Sequence, residues 1–485
     1  MSFSGKYDIV IIGAGVAGIN SAYRIQTQLP DHKYVILEAR DAAGGTWDLM
    51  RYPGARLDSD IYTFGFTWHP YHGEKIMLDG ESFLKYINDA ATKHGIEDHI
   101  LFSHRVTTAA WSSQDYAWNL TATVDDEKHY FGARYLIFAT GYFDHDEALP
   151  TQIPRLDHFL ETVIHPQFWP KDLDCSGKRI AVIGSGATAI SLVPKLAETA
   201  SAVTVIQRSP NYITPVELAE AESWLTKLLP APVAYKLRRL RWLLITLIGY
   251  YASRRWPQHA RNYLLKQVEK ELPAHVPLEP HFNPTYKVWD QRLLACPNGD
   301  YFRSVRSGKV GIETANIQHC TADGLILDNG KAVDADIIVT ATGLKLRIGG
   351  GIQVDLDGQI CDLSDKFMWH GIMLDGVPNA FFALGYLTSA SWTMGSDVTA
   401  VLACRMIRHM KRTNSVAVTP RLHESSDLSV RPLWDLNSTY IVAGKRSIPK
   451  AGSAGPWRPR SNYLRDYFHA KYGSFTEGLE YMDAD

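Results

Sequence analysis

Apolar positions in this chain fall into two rhythms that follow one another in a fixed order. Tyr7 to Ile12 reads YDIVII, a β-branched run suited to a strand buried on both faces. Glycines follow at once, and residues 16–29 (VAGINSAYRIQTQL) then take up helical spacing. Tyr34 to Leu37 is a second short strand, closed by Glu38. The same order returns later: Arg179–Ile183 predicts a strand, Ala187–Leu196 a helix and Ala202–Ile206 the next strand. Two further buried strands end in Ala-Thr-Gly, one at Thr140-Gly141 and one at Thr342-Gly343. The apolar stretch Trp242–Ala252, flanked by arginines, predicts a buried helix inside a mainly helical insertion over about 217–272. Its alternative reading is an interfacial helix that lets 238–255 touch a membrane surface.

The residues between strand and helix carry the chemistry. In Gly13-Ala14-Gly15-Val16-Ala17-Gly18, Gly13 allows the tight turn, Gly15 lets backbone approach a pyrophosphate, and Gly18 lets helix and strand pack closely. A pyrophosphate would then meet a helix N-terminus, where N–H groups and the dipole favour an anion. Glu38 stands about twenty residues beyond the last glycine, where a carboxylate can accept ribose hydroxyls. The second unit, Gly184-Ser185-Gly186-Ala187-Thr188-Ala189, lacks that acid and has Gln207-Arg208-Ser209 in its place. An acid there would repel a 2′-phosphate, whereas arginine pairs with one. The first unit therefore reads as an FAD site and the second as an NADPH site. The expected fold is α/β, with two Rossmann-like dinucleotide-binding domains. Its expected parts are an FAD domain over 1–150, a linker over 151–177, an NADPH domain over 178–334 and a return to the FAD domain over 335–485.

Composition narrows the class. The chain has 485 residues, 45% apolar and 21% charged, enough for several cores. A net charge of −2 gives no nucleic-acid footprint. Cys175, Cys296, Cys320, Cys361 and Cys404 are scattered, without metal-ligand spacing or a redox pair beside the first turn, which argues against a disulfide reductase. The first strand begins within a few residues of Met1, so no signal peptide is expected, and no apolar run approaches membrane-spanning length. A cytoplasmic location follows, with membrane association through 238–255 as the alternative.

Between the two units lies Phe159-Leu160-Glu161-Thr162-Val163-Ile164-His165-Pro166-Gln167-Phe168-Trp169-Pro170. It resembles the FxGxxxHxxxWP fingerprint of type I Baeyer–Villiger monooxygenases. Gly44-Gly45-Thr46-Trp47 and Arg51 to Asp58 (RYPGARLD) resemble that family's segment after the second FAD strand. The wording of His165 to Asp174, Asn211-Tyr212-Ile213, Trp289-Asp290-Gln291-Arg292, Pro297 to Asp300, Ala390 to Thr393 and Asn462 to Asp466 is most similar to the ethionamide-activating branch. Two positions depart from the pattern: Glu161 replaces the motif glycine, and Lys171 follows the Trp-Pro pair. A glutamate at a position needing glycine's φ would strain the linker.

The resemblance implies an NADPH- and O2-dependent cycle. NADPH reduces FAD, reduced flavin adds O2 at C4a, and the peroxide attacks a hydrophobic ketone to leave an ester or lactone, with sulfoxidation of thioethers as a side activity. It also implies site residues. Arg292 falls where the family keeps its active-site arginine, and Asp58 where it keeps the carboxylate that holds it. His165 is expected to set linker geometry rather than to transfer protons. The implied cofactor-binding residues are Gly13, Gly15, Gly18, Glu38, Thr46, Trp47, Asp58, Tyr62, Thr140 and Gly141 on the FAD side. Gly184, Gly186, Thr188, Ala189, Arg208, Ser209, Thr342 and Gly343 serve on the NADPH side. Trp392 and Trp457 are candidates for the substrate pocket, with core packing as the alternative among thirteen tryptophans. Two other functions stay open: an S- or N-oxidising flavin monooxygenase, and a flavin-bearing binding or redox-sensing protein that does not oxygenate. No metal is expected, and the oligomeric state is open.

Overall fold

A computed structural model describes residues 3–218, 228–386, 389–423, 428–460 and 462–484. The predicted strands pair in parallel. Gly5–Ile12 lies between Tyr34–Leu37 and Glu127–Phe138, with Ile9 opposite Tyr34 on one side and Tyr135 on the other. Its last four residues are fully enclosed, as a run without polar alternation requires. These three strands form the centre of a nine-stranded sheet. Arg105–Ser112 and Ala117–Val124 extend it antiparallel beyond Glu127–Phe138, and Gln353–Leu356 then adds in parallel. Ala380–Phe382 also pairs with Glu127–Phe138, so the chain beyond residue 350 rebuilds the first sheet.

A second sheet has five parallel strands in the order Val310–Thr314, Ala202–Gln207, Arg179–Ile183, Ile337–Thr340, Thr162–Ile164. This corrects the sequence boundaries at both ends. Thr162–Ile164, expected in a linker, is the edge strand. Ile337–Thr340, expected to open the return to the first domain, pairs with Arg179–Ile183. An apolar run shows that a strand is buried but not which sheet buries it. The chain rejoins the first sheet at Gln353, after Gly343.

Part of the expected helical insertion, residues 219–227, lies outside the described residues. The rest comprises Ala231–Arg255 and Pro257–Glu271, broken at Trp256 ahead of the proline. The long helix Trp392–Thr413 packs on Val16–Gln28, where Arg24 Nε and Nη2 donate to the two oxygens of Asp397 at 2.8 and 3.0 Å.

The loop Arg51–Asp58 joins the halves. Gly54 takes φ +83°, and a Cβ there would meet the Ser191 carbonyl oxygen at 2.2 Å, so only glycine lets the loop lie on helix Ala187–Thr199. Arg56 pairs with Asp300 and donates from Nη2 to the Ile190 carbonyl at 3.3 Å. Tyr52 places its hydroxyl 3.4 Å from Ser191 Oγ. A segment of the first half is thereby fixed to the second.

Candidate active site

Both glycine turns open into one cavity of about 1090 Å³. At the first turn, Gly13 takes φ +106°, and a Cβ there would meet the Ala139 carbonyl oxygen at 2.8 Å. Helix Val16–Gln28 starts at Gly15 with no side chain capping it, which leaves its first N–H groups to the cavity. Gly15 faces Gly45, whose Cα lies 3.6 Å from where a Cβ of residue 15 would be. Two bare glycines therefore leave a backbone-lined slot of the kind a pyrophosphate occupies. Glu38 is 5% exposed and accepts the N–H groups of Ala14 (2.6 Å) and Arg40 (2.9 Å). Burial raises its pKa, and those two bonds offset part of the rise. These features fit the diphosphate and ribose of FAD.

The second turn repeats the arrangement. Gly184 takes φ +132° against the Ala341 carbonyl, and Gly186 opens helix Ala187–Thr199, again with no side-chain cap. Ser185 Oγ donates to the Ser209 carbonyl at 3.0 Å, and Asn211 Nδ2 donates to Ser185 O and Oγ at 3.0 and 2.9 Å. Arg208 lies exposed at the rim, its Nη2 donating to Thr439 Oγ1 at 3.1 Å. An anionic nucleotide with a terminal phosphate fits this edge.

Arg292 and Asp58, 234 residues apart, meet on the wall between the turns. Arg292 Nε lies 3.3 Å from Asp58 Oδ2, and its Nη2 donates to Ser59 Oγ at 3.0 Å. Burial lowers the guanidinium's pKa, but the groups around it, Asp58 first among them, together raise it above its ordinary value. The group is a fixed cation. Beside it stand Tyr142, Tyr440 and Trp392; Tyr142 stacks on Trp392 with ring centroids 5.5 Å apart. Burial raises the pKa of both tyrosines, keeping their hydroxyls neutral.

Of the other expected residues, Thr46, Trp47, Thr140, Gly141, Thr188, Ser209, Thr342 and Gly343 line the cavity. Gly18, Tyr62, Ala189, His165 and Trp457 do not. Gly18 and Ala189 lie beneath the turns, where each lets its helix close on the strand. Tyr62 is buried, and its carbonyl accepts from Arg239. Trp457 is 6% exposed within the main core and does not reach the cavity. His165 stands behind the wall. Its Nε2–H donates to the Gly343 carbonyl at 3.1 Å, and its Nδ1 accepts from Gln167 N–H at 3.2 Å. Gln167 Nε2 in turn donates to the Asp144 carbonyl at 2.7 Å, so the motif bridges the ends of both Ala-Thr-Gly strands. Glu161 is exposed and does not adopt a positive φ, so no strain arises from the missing glycine. Sequence reasoning gave no role to Tyr142 and Tyr440, which no motif marked, or to Asn211, whose motif was seen without its function.

Two stacked nucleotide turns sharing a cavity, with an arginine between them, define a two-dinucleotide flavoprotein oxidoreductase. Comparison with known proteins agrees. The family model described as pyridine nucleotide-disulphide oxidoreductase matches residues 7–231. All five cysteines are free and none lines the cavity. The FAD-containing monooxygenase EthA of Mycobacterium tuberculosis (strain ATCC 25618 / H37Rv) is 40% identical over 98% of this chain and 97% of its own. The probable FAD-binding monooxygenase AlmA of Acinetobacter baylyi (strain ATCC 33305 / BD413 / ADP1) is 37% identical over 98% and 96%. Among solved structures, an oxidized steroid monooxygenase bound to NADP matches with a TM-score of 0.79 at 20% identity, covering 99% of this chain and all of that one. Cyclohexanone monooxygenase from Rhodococcus sp. Phi1 bound to NADP+ matches with 0.72 at 18% identity, over 99% and 100%. The chain belongs to the family of FAD-containing monooxygenases, and its fold is that of the Baeyer–Villiger enzymes of known structure. Membership brings the cofactor set of FAD, NADPH as reductant and O2 as co-substrate.

Proposed function

We propose that the protein catalyses Baeyer–Villiger oxidation, inserting one oxygen atom beside the carbonyl of a hydrophobic ketone to give an ester or lactone. The observation that carries this reading is the Arg292–Asp58 pair on an aromatic wall between the two nucleotide turns. A bound FAD would supply hydride acceptance from NADPH and activation of O2; the chain's own residues would do the rest. The bare turn at Gly15 and the carboxylate of Glu38 hold the flavin's diphosphate and ribose. Gly186 and Arg208 hold NADPH, with Arg208 on the 2′-phosphate. Arg292 supplies a fixed positive charge where negative charge grows on oxygen during transfer. Asp58 and Ser59 fix the direction of that guanidinium, so it need not reorganise when the charge appears. Tyr142, Trp392 and Tyr440 give the ketone an apolar wall and limit water. His165 acts on no reacting atom; it holds the linker against Gly343.

The test combines a ketone panel with two variants. Wild type should consume NADPH with ketone and yield a product one oxygen atom heavier. Arg292→Ala should keep FAD and its reduction by NADPH, yet lose ester formation by about a hundredfold or more. Asp58→Ala should show a milder loss, because the arginine stays charged but loses orientation. Oxidation of thioethers alone would assign the S-oxidising reaction instead. NADPH oxidation yielding only hydrogen peroxide would remove the oxygenase reading.

A further inference from the structure

Helix Ala231–Arg255 carries an apolar stripe that the other described residues leave largely exposed. Val233, Leu237, Leu240, Leu244, Ile248 and Tyr251 are all exposed, Leu240 by 49% and Ile248 by 65%. Their spacings are four, three, four, four and three residues, which places them within one narrow sector of an α-helix. Ala234, Tyr235, Leu243 and Leu247 are the residues of the helix that fold inward. The helix is thus apolar both inward and outward, which explains why its sequence reads as a buried element although one face is open.

Charge selects what covers that face. The helix contains Lys236, Arg238, Arg239, Arg241, Arg254 and Arg255 and no aspartate or glutamate. By helical position Lys236 flanks the stripe on one side and Arg241 on the other, and both residues are exposed. Trp256, 56% exposed, stands at the stripe's C-terminal end, where an amphipathic ring suits a boundary between apolar and wet surroundings. A second copy laid on this face would set cations against cations. An anionic lipid surface offers an apolar layer beneath a negative one. No described helix is long and apolar enough to cross a membrane, so the element would lie on the surface rather than span it.

The geometry points to peripheral docking of helix Ala231–Arg255 on an anionic bilayer, its apolar stripe in the acyl boundary and its outward cations, Lys236 among them, at the headgroups. The same helix also holds segments next to the residues of the active-site ion pair. Arg239 donates to the carbonyls of Tyr62 and Gly65, the latter at 3.1 Å, and Arg254 Nη1 donates to Asp290 Oδ1 at 2.6 Å. The first contact lies just beyond Asp58 in the chain and the second just before Arg292. The docked helix therefore sits between a lipid surface and the segments that carry the site's ion pair, where a lipophilic substrate would be concentrated.

The test is co-sedimentation of the full-length holoenzyme with vesicles of phosphatidylglycerol mixed with phosphatidylcholine, and with phosphatidylcholine alone, at low and high salt. Wild type should pellet with the anionic vesicles, less so at high salt, and poorly with phosphatidylcholine. The triple variant Leu240→Ser/Leu244→Ser/Ile248→Ser should partition about tenfold or more weakly. It should also keep its flavin absorbance and its NADPH oxidation. Lys236→Glu, an exposed change that leaves the inner face untouched, should weaken binding to anionic vesicles alone. The proposal is overturned if wild type stays in the supernatant with anionic vesicles at low salt, or if both variants pellet as wild type does. It is also overturned if light scattering finds a wild-type dimer that the triple variant makes monomeric while vesicle binding is absent.

Discussion

At Gly18 an added Cβ would strike the Gly13 carbonyl oxygen at 1.9 Å, whereas the matching place in the second turn already holds Ala189, fully buried. At Gly15 the nearest neighbour is another glycine 3.6 Å away, whereas at Gly186 nothing lies within 4 Å. After the next strand the first turn meets the buried acid Glu38. The second meets Gln207, whose amide Nε2 turns away to the His281 carbonyl (2.7 Å) and Thr314 Oγ1 (3.0 Å), leaving Arg208 exposed at the rim. One pattern of letters thus gives a walled slot and an open ledge. On the proposed reading the wall suits a flavin that stays through every turnover, and the ledge suits a nucleotide that must arrive reduced and leave oxidised.

Substitution at the two turns should expose this contrast, most strongly at the walled one. Gly18→Ala forces helix Val16–Gln28 off its strand and should cost about 2–3 kcal/mol. Flavin absorbance should largely vanish after gel filtration; full retention would mean the first turn is looser than its backbone indicates. Arg208→Ala removes one charge-assisted contact, which should raise the apparent KM for NADPH about ten- to a hundredfold while sparing NADH. Equal use of both nucleotides by wild type would undo the assignment of the second ledge.

The bridge between the sites should respond to acid. Burial lowers the pKa of His165 below its ordinary 6.5, although the Gly343 carbonyl pulls it partly back. The unfolded state therefore binds the proton more readily. The histidine's contribution is fully present above about 6.5 and is lost as pH falls through the lowered folded value. Protonation also removes the Nδ1 acceptor that Gln167 uses. His165→Phe should narrow the difference in Tm between pH 7.5 and 5.5. An unchanged difference would show that other histidines carry the acid response. Gly186→Ala should do least, within about 0.5 kcal/mol of wild type, because its Cβ points into open space. A collapse of flavin content in this variant would contradict the open ledge.

Local grammar carried much of this in the sequence. Tyr34–Leu37 and Arg179–Ile183 form strands with the bounds that their apolar runs predict, and both glycine turns sit where strand meets helix. What depended on distant contacts was harder to read. Periodicity marked Ile337–Thr340 as buried but could not assign it to the second sheet. Trp457 and Trp392 look alike as letters; only the path of the C-terminal segment puts one in the core and the other on the cavity. Arg292 and Asp58 were paired by resemblance alone, since nothing local links residues so far apart. Tyr142 and Tyr440 belonged to no motif, because an aromatic wall needs bulk and position rather than a fixed spacing.

The glycine of the loop Arg51–Asp58 sets a rule for recombining this chain with its relatives. Gly54 leaves no room for a side chain against Ser191, and Arg56 reaches Asp300 from the same loop. These contacts tie an early stretch of the gene to a late one. A hybrid that takes its first hundred and fifty or so residues from one parent and the next block from another would split the loop from its seat. Viable crossovers should therefore inherit residues 51–58 from the same parent as helix Ala187–Thr199 and Asp300, even though a conventional domain map files them apart.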